Sequence, residues 1–206
     1  MCIKFIEWCF ALIEFLGLHP ECGKDYVVCL GFFDGVHCGH RALIDAALAL
    51  KESDGFFICV HTYTQSPAQI LFPDQAYQEL TPLQEKTDIL FNYGVDTVAF
   101  SSFDKQLMQM SGEDFLDKLL LQSMQVKALV IGYNHRFGFA AKTDHVKLRE
   151  LCNQRNLQLI VVPPVKTTEG LIVSSTAIRE ALKNRNYSLA QEMLGRPLDS
   201  HLLNMQ

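Results

Sequence analysis

Two histidines three residues apart, His37 and His40, stand in the stretch GFFDGVHCGHRA (31–42), directly after the apolar run YVVCL. Residues of these types make poor packing material. Gly31 and Gly35 allow a sharp turn and let backbone N–H groups approach a ligand closely. Gly39 opens what reads as a helix, so free N–H groups and the positive end of its dipole lie beside both imidazoles. That arrangement suits an anion, with the imidazoles donating to its oxygens. Taken alone, H-x-x-H leaves two other readings open: loop histidines without a task, or a metal site of Asp34, His37 and His40.

Two further stretches carry polar groups at comparable places. GYNHRFG (132–138) follows the apolar run ALVI and bears Asn134, His135 and Arg136 between two glycines; by itself it also reads as a surface loop anchored by Phe137. VSSTAIRE (173–180) offers Ser174, Ser175 and Thr176 as helix N-cap residues, with Arg179 one turn in. Hydroxyls, free N–H groups and a guanidinium converging on one point suit a polyphosphate, although a plain N-cap with a surface arginine gives the same letters. Together, two such helix starts suit the two ends of a nucleoside triphosphate. The sequence has no G-x-x-x-x-G-K-[ST], which excludes a P-loop, and no G-x-G-x-x-G after its first apolar run, which weighs against a dinucleotide dehydrogenase.

The elements that must hold these groups alternate. Short apolar runs at 26–33, 56–63, 96–100, 128–132 and 157–162 read as buried parallel strands. Helical patterns lie between them at 39–52, at 83–93 before Gly94, and at 113–124 capped by Ser111, where Phe115, Leu116, Leu119 and Leu120 share a face. Others follow at 144–155 and 175–185. The pattern predicts an α/β, doubly wound (Rossmann-like) parallel sheet of about five strands, with ligands at the carboxyl ends of the strands. Residues 25–186 form the domain, 1–24 an extension packed on it, and 187–206 a C-terminal helix or linker.

Composition narrows the partners. A net charge of −5 argues against a basic surface for nucleic acid. Glu7 and Glu14 interrupt the apolar N-terminus, so no run approaches the roughly 20 residues of a membrane span. Seven cysteines, none in a C-x-x-C pair and several inside apolar runs, point to a reducing cytoplasm without a disulfide framework; Cys38 reads as a space-filler.

With these residues in view, the chain resembles the adenylyltransferase module of prokaryotic-type bifunctional riboflavin kinase/FAD synthetases, within the HxGH nucleotidyltransferase superfamily. The resemblance covers about residues 25 to 198. It rests on G-x-F-D-G-V-H-x-G-H, GYNHRFG and SSTAIR, and extends to LTPLQEKTDILFNYGVDTVAF, the FD…MSGEDFL stretch and LGRPL. It implies ATP and FMN as substrates, with Mg²⁺ accompanying ATP, and FAD and pyrophosphate as products, without a covalent enzyme intermediate. His37 and His40 would then hold the triphosphate at its α-phosphorus, and Ser174, Ser175, Thr176 and Arg179 the β,γ-phosphates. Gly31, Phe32, Phe33, Asp34 and Gly39 would line the nucleotide cleft, with Gly132 and Asn134 near the adenosine.

The sequence departs from the family pattern in four places. Phe32 stands where Asn is usual. Asn134 replaces an acidic residue. HTYTQSPAQIL keeps only Pro67 of an acidic or polar residue followed by P-H-P, beside the flavin site. The family's riboflavin kinase domain does not follow Gln206, so the expectation is that this chain does not phosphorylate riboflavin. Two alternatives stay open: transfer to another phosphomonoester such as phosphopantetheine or glycerol 3-phosphate, and a non-catalytic nucleotide- or flavin-binding module.

Overall fold

The computed structural model describes residues 13–17, 20, 23–74 and 77–205. Most of the N-terminal extension, with Cys2, Cys9 and Cys22, lies outside the described residues. Six strands build one sheet: β1 (Glu14–Gly17), β2 (Asp25–Leu30), β3 (Phe57–Tyr63), β4 (Thr97–Ser101), β5 (Gln125–Gly132) and β6 (Gln158–Val162). Their order is β1-β4-β3-β2-β5-β6. Pairs from β4 to β6 are parallel, as expected; β1 adds an antiparallel edge, so the sheet is mixed and has one strand more than the sequence pattern suggests.

The helices are α1 (Cys38–Asp54), α2 (Pro67–Leu71), α3 (Leu83–Asn92), α4 (Lys105–Gln109), α5 (Gly112–Asp114, continued by a π-helical segment Phe115–Leu121), α6 (His145–Gln154), α7 (Ser175–Lys183), α8 (Tyr187–Leu194) and α9 (Ser200–Leu203). Period-two alternation divides the central strand between two cores. Tyr26, Val28 and Leu30 face Phe115, Leu116, Leu119 and Leu120 with α6, and Val27 and Cys29 face Leu43, Ile44 and Ala47 of α1. A strand buried on both faces has no polar side to show, which is why YVVCL is continuous. Cys29 and Cys59 act as small apolar groups, and burial pushes the Cys29 thiol up to about 12.

A third cluster joins α7, α8 and α9: Ile178, Leu182, Ala190, Met193, Leu194 and Leu202 gather around Leu80. It ties the loop before α3 to the C-terminal helices, and so braces the turn that carries the paired histidines. No helix among the described residues is long and apolar enough to cross a membrane.

Candidate active site

The strand order reverses at β2, whose neighbours are β3 on one side and β5 on the other. In a doubly wound sheet that reversal opens a crevice beyond the carboxyl ends of the strands. A cavity of about 310 Å³ lies there. It is lined by Leu30, Gly31 and Phe32 at the end of β2, and by Gly132 with Asn134 at the end of β5. The N-termini of two helices converge on it, bringing His37, Gly39 and His40 from α1 and Ser174, Ser175 and Thr176 from α7.

His37 is the N-cap of α1. Its Nδ1 accepts from the His40 backbone N–H at 3.3 Å, which leaves the proton of the neutral ring on Nε2, free to donate to a ligand. The His37 and His40 rings stack at 3.7 Å between centroids and 15° between planes. Gly39 makes this possible, since a Cβ there would lie 3.0 Å from the His37 ring. Burial lowers the His37 pKa to about 4. Burial, the neighbouring His37 and the Lys86 ammonium together hold His40 well below the ordinary histidine range. Both rings are therefore neutral donors at neutral pH. The buried Nδ1 of His40 has no hydrogen-bond partner among the described residues.

Three residues singled out by the sequence stand behind this wall rather than in it. Phe33, with φ of 57°, buries its ring beneath His40 at 4.8 Å. Asp34 turns away from the histidines. Its carboxylate accepts from the backbone N–H of Leu80 at 2.8 Å and of Thr81 at 3.3 Å, from the Tyr77 hydroxyl at 3.0 Å, and from the Arg179 guanidinium. Arg179, expected to face the triphosphate, is occupied there, donating also to the Gln78 carbonyl at 2.8 Å and the Tyr77 hydroxyl at 2.7 Å. Nor does Asp34 join the histidines as metal ligands would; among the described residues no three His, Cys, Asp or Glu side chains form such a group.

The first loop is strained and clamped. Val36, β-branched and fully buried, has φ of 36°. Arg196 donates to the Gly35 carbonyl at 2.6 Å and reaches that of Val36 at 3.4 Å, and Ser175 Oγ donates to the Asp34 carbonyl at 2.8 Å. Arg196 belongs to LGRPL, which the sequence offers only as a mark of resemblance; its distance of some 160 positions from the loop hides the contact.

A second cavity, about 490 Å³, adjoins the first. Phe32 and His135 line both. Aromatic and thioether side chains make up much of the rest of its wall, among them Tyr63, Phe103, Phe115, Phe137 and Met110, beside Leu71, Leu107 and the cationic Arg136. The loop that closes it bends back at Gly138, with φ of 72°, where a Cβ would fall 2.6 Å from the Gly112 nitrogen. Behind Phe32, the buried Lys86 ammonium donates to the Phe32 carbonyl at 3.2 Å and lies 4.1 Å from its ring centroid.

The buried imidazoles make stability depend on acid. Burial lowers His37 and His135 to about 4 and His61, which hydrogen-bonds Ser101 Oγ at 2.9 Å, to about 3. In the unfolded chain each titrates near 6.5. Stability is therefore complete above about pH 6.5 and is lost as pH falls towards 4, because the unfolded chain then binds about three more protons. Urea unfolding at stepped pH is expected to lose ~4 kcal/mol per pH unit around pH 5 from these groups. A flat pH 6–4.5 limb would mean that the rings are not buried neutral.

With the site in place, comparison with known proteins identifies the chain. The model of the family described as FAD synthetase matches residues 19–177. The chain belongs to the FAD synthetase family. It is 32% identical over 171 residues to the bifunctional riboflavin kinase/FMN adenylyltransferase of Escherichia coli (strain K12), covering 83% of this chain and 54% of that protein. It is 30% identical over 172 residues to the FAD synthetase of Listeria monocytogenes serovar 1/2a, covering 83% of this chain and 69% of that one. Among solved structures, a macrolide-efflux protein from Streptococcus pneumoniae superposes with a TM-score of 0.75 at 29% identity, over 87% of this chain and 58% of that one. The chain thus spans about half the length of the bifunctional relatives it matches. Membership places the HxGH stretch, the middle loop and the start of α7 within one family domain, with the match ending two residues before Arg179.

Proposed function

We propose that this member of the FAD synthetase family is an FMN adenylyltransferase, transferring AMP from ATP to FMN to give FAD and pyrophosphate. One observation carries the reading: a polar cleft with two helix N-termini and two neutral imidazoles adjoins an aromatic cavity, and the two meet at Phe32 and His135. The first suits a triphosphate and the second a planar tricyclic ring. Flexible acceptors such as phosphopantetheine or glycerol 3-phosphate make less use of an aromatic wall.

An oxygen of the FMN phosphate forms the new bond to the α-phosphorus as the bond to the pyrophosphate oxygen breaks. Such transfers need positioning and charge stabilisation more than covalent help from the protein. His37, through Nε2–H, and His40 donate at the α-phosphate. The backbone N–H groups of α7, with the Ser174, Ser175 and Thr176 hydroxyls, receive the β,γ-phosphates; Arg179 joins them only by leaving Asp34. Gly132 and Asn134 border the adenosine, and Asn134 keeps an acceptor for a ribose hydroxyl. Among the described residues the cleft wall carries imidazoles, hydroxyls and an amide but no carboxylate, so Mg²⁺ enters as part of the substrate, MgATP. The free thiols of Cys29, Cys38, Cys59 and Cys152 support a reducing, cytoplasmic setting. Riboflavin kinase chemistry belongs to a region of the bifunctional relatives beyond these residues, as a further domain or a separate partner.

Incubating the chain with MgATP and FMN is expected to yield FAD and pyrophosphate in equal amounts. Riboflavin in a parallel reaction is expected to yield neither FMN nor FAD. ATP binding without pyrophosphate release, with FMN and with each other phosphomonoester tried, would identify a non-catalytic binding module instead.

A further inference from the structure

The partition between the two cavities has one apolar side chain, Phe32, and one imidazole, His135. The Phe32 carbonyl is already engaged, accepting from Thr62 Oγ1 at 2.7 Å and from Lys86 Nζ at 3.2 Å. His135 is fixed in place without being satisfied. Its backbone N–H donates to the Gly132 carbonyl at 3.0 Å, which turns the chain out of β5. Its ring leans on Phe137 at 5.6 Å, and Phe137 is held by a reciprocal pair of backbone hydrogen bonds with Thr143, both 3.1 Å. Neither ring nitrogen has a hydrogen-bond partner among the described residues. A neutral imidazole always carries one N–H donor, and on the wall shared by the two cavities that donor is open to an acceptor from a ligand.

We propose that His135 is a further substrate-binding residue, donating a ring N–H hydrogen bond to the phosphate of the flavin acceptor as it crosses from the aromatic cavity to the polar cleft. The assignment rests on the FMN reading above. An acceptor whose ring fills one cavity and whose phosphate must meet an α-phosphorus in the other has to pass this partition. Phe32 offers that phosphate no hydrogen bond from its side chain. The role of His135 is thus to distinguish a phosphorylated flavin from an unphosphorylated one and to fix the attacking oxygen at the junction.

Flavin fluorescence titrations compare FMN with riboflavin in the wild type, His135→Phe and His135→Gln. The wild type is expected to prefer FMN. His135→Phe keeps an aromatic ring against Phe137, so riboflavin affinity is expected to hold while the preference for FMN falls about 10–100-fold, the worth of one hydrogen bond to a charged group. His135→Gln restores a donor and is expected to recover part of the preference. An unchanged preference in His135→Phe overturns the assignment alone, as does an equal loss of both flavins, which marks a packing role. Failure of the wild type to bind either flavin overturns the FMN reading, and this inference with it.

Discussion

Asp34→Ala is expected to destabilise the protein by about 3–5 kcal/mol, the range for breaking a buried ion pair by removing one partner. The carboxylate is almost fully enclosed and accepts four hydrogen bonds from two separate segments, the loop 77–81 and α7. Removing it leaves two buried backbone donors, Leu80 N–H and Thr81 N–H, without their acceptor, and deprives the Arg179 guanidinium of its counter-charge. Leu80 is also the centre of the cluster that joins α7, α8 and α9, so the damage extends to the C-terminal helices. At about 2–4 °C per kcal/mol for a domain of this size, the midpoint of thermal unfolding should fall by about 6–20 °C. Asp34→Asn keeps one carbonyl acceptor and should lose less than half as much. A midpoint within a degree or two of wild type in Asp34→Ala would show that Leu80, Thr81 and Arg179 find other partners, and that Asp34 does not organise the loop.

The role of Asp34 also shows where the sequence stops being informative. Strands and helices repeat their signals locally. The five parallel strands stand where short apolar runs place them, and Ser111, Asp144 and Ser174 cap helices through their own side chains. The edge strand β1 has no such signal: EFLG is four residues with only Phe15 half-covered, and its pairing with Thr97–Phe100 is a long-range event. The short helices α2 and α4 similarly lack a full turn of apolar periodicity and take their place from the cavity they border.

The same division applies to the site. His37, Gly39 and His40 are close in sequence, and helix geometry alone brings them together. Ser174–Thr176 reach the same cleft because the loop after β6 folds back on itself, with Val173 N–H donating to the Val165 carbonyl at 2.9 Å. Phosphate-binding vocabulary at 34 and 179 instead encodes an internal ion pair, since composition cannot tell a guanidinium aimed at a ligand from one aimed at a carboxylate. The aromatic cavity was hidden for another reason. Tyr63, Phe103, Phe115 and Phe137 lie on four different segments, each reading as ordinary core until the fold leaves a space between them. Asn134 and Phe32, two of the four departures from the family pattern, both fall on cavity walls, so substrate preference is where this chain is expected to differ from its relatives.

His40→Ala is expected to lower the rate of FAD formation by about 10²–10³, the loss that follows removal of one preorganised donor. The substitution is clean for a structural reason. The backbone N–H of residue 40, not its ring, is what satisfies His37 Nδ1, so the His37 tautomer and its free Nε2–H survive the change. Alanine also suits the first turn of α1. His37→Ala, by contrast, removes an N-cap acceptor as well as a donor and mixes a helix effect with a catalytic one. Because burial, His37 and Lys86 keep His40 neutral, its donation should not change as pH passes through the ordinary histidine range. With saturating MgATP and FMN, His40→Ala is therefore expected to lie below the wild type by a constant factor from pH 8 to pH 6, whatever the titration of the FMN phosphate itself does to both rates. A wild-type to His40→Ala ratio that shrinks with a midpoint near 6.5 would show a histidine that protonates freely, and near-normal turnover in His40→Ala would show that the stacked pair shapes the cleft without acting on the transferred phosphate.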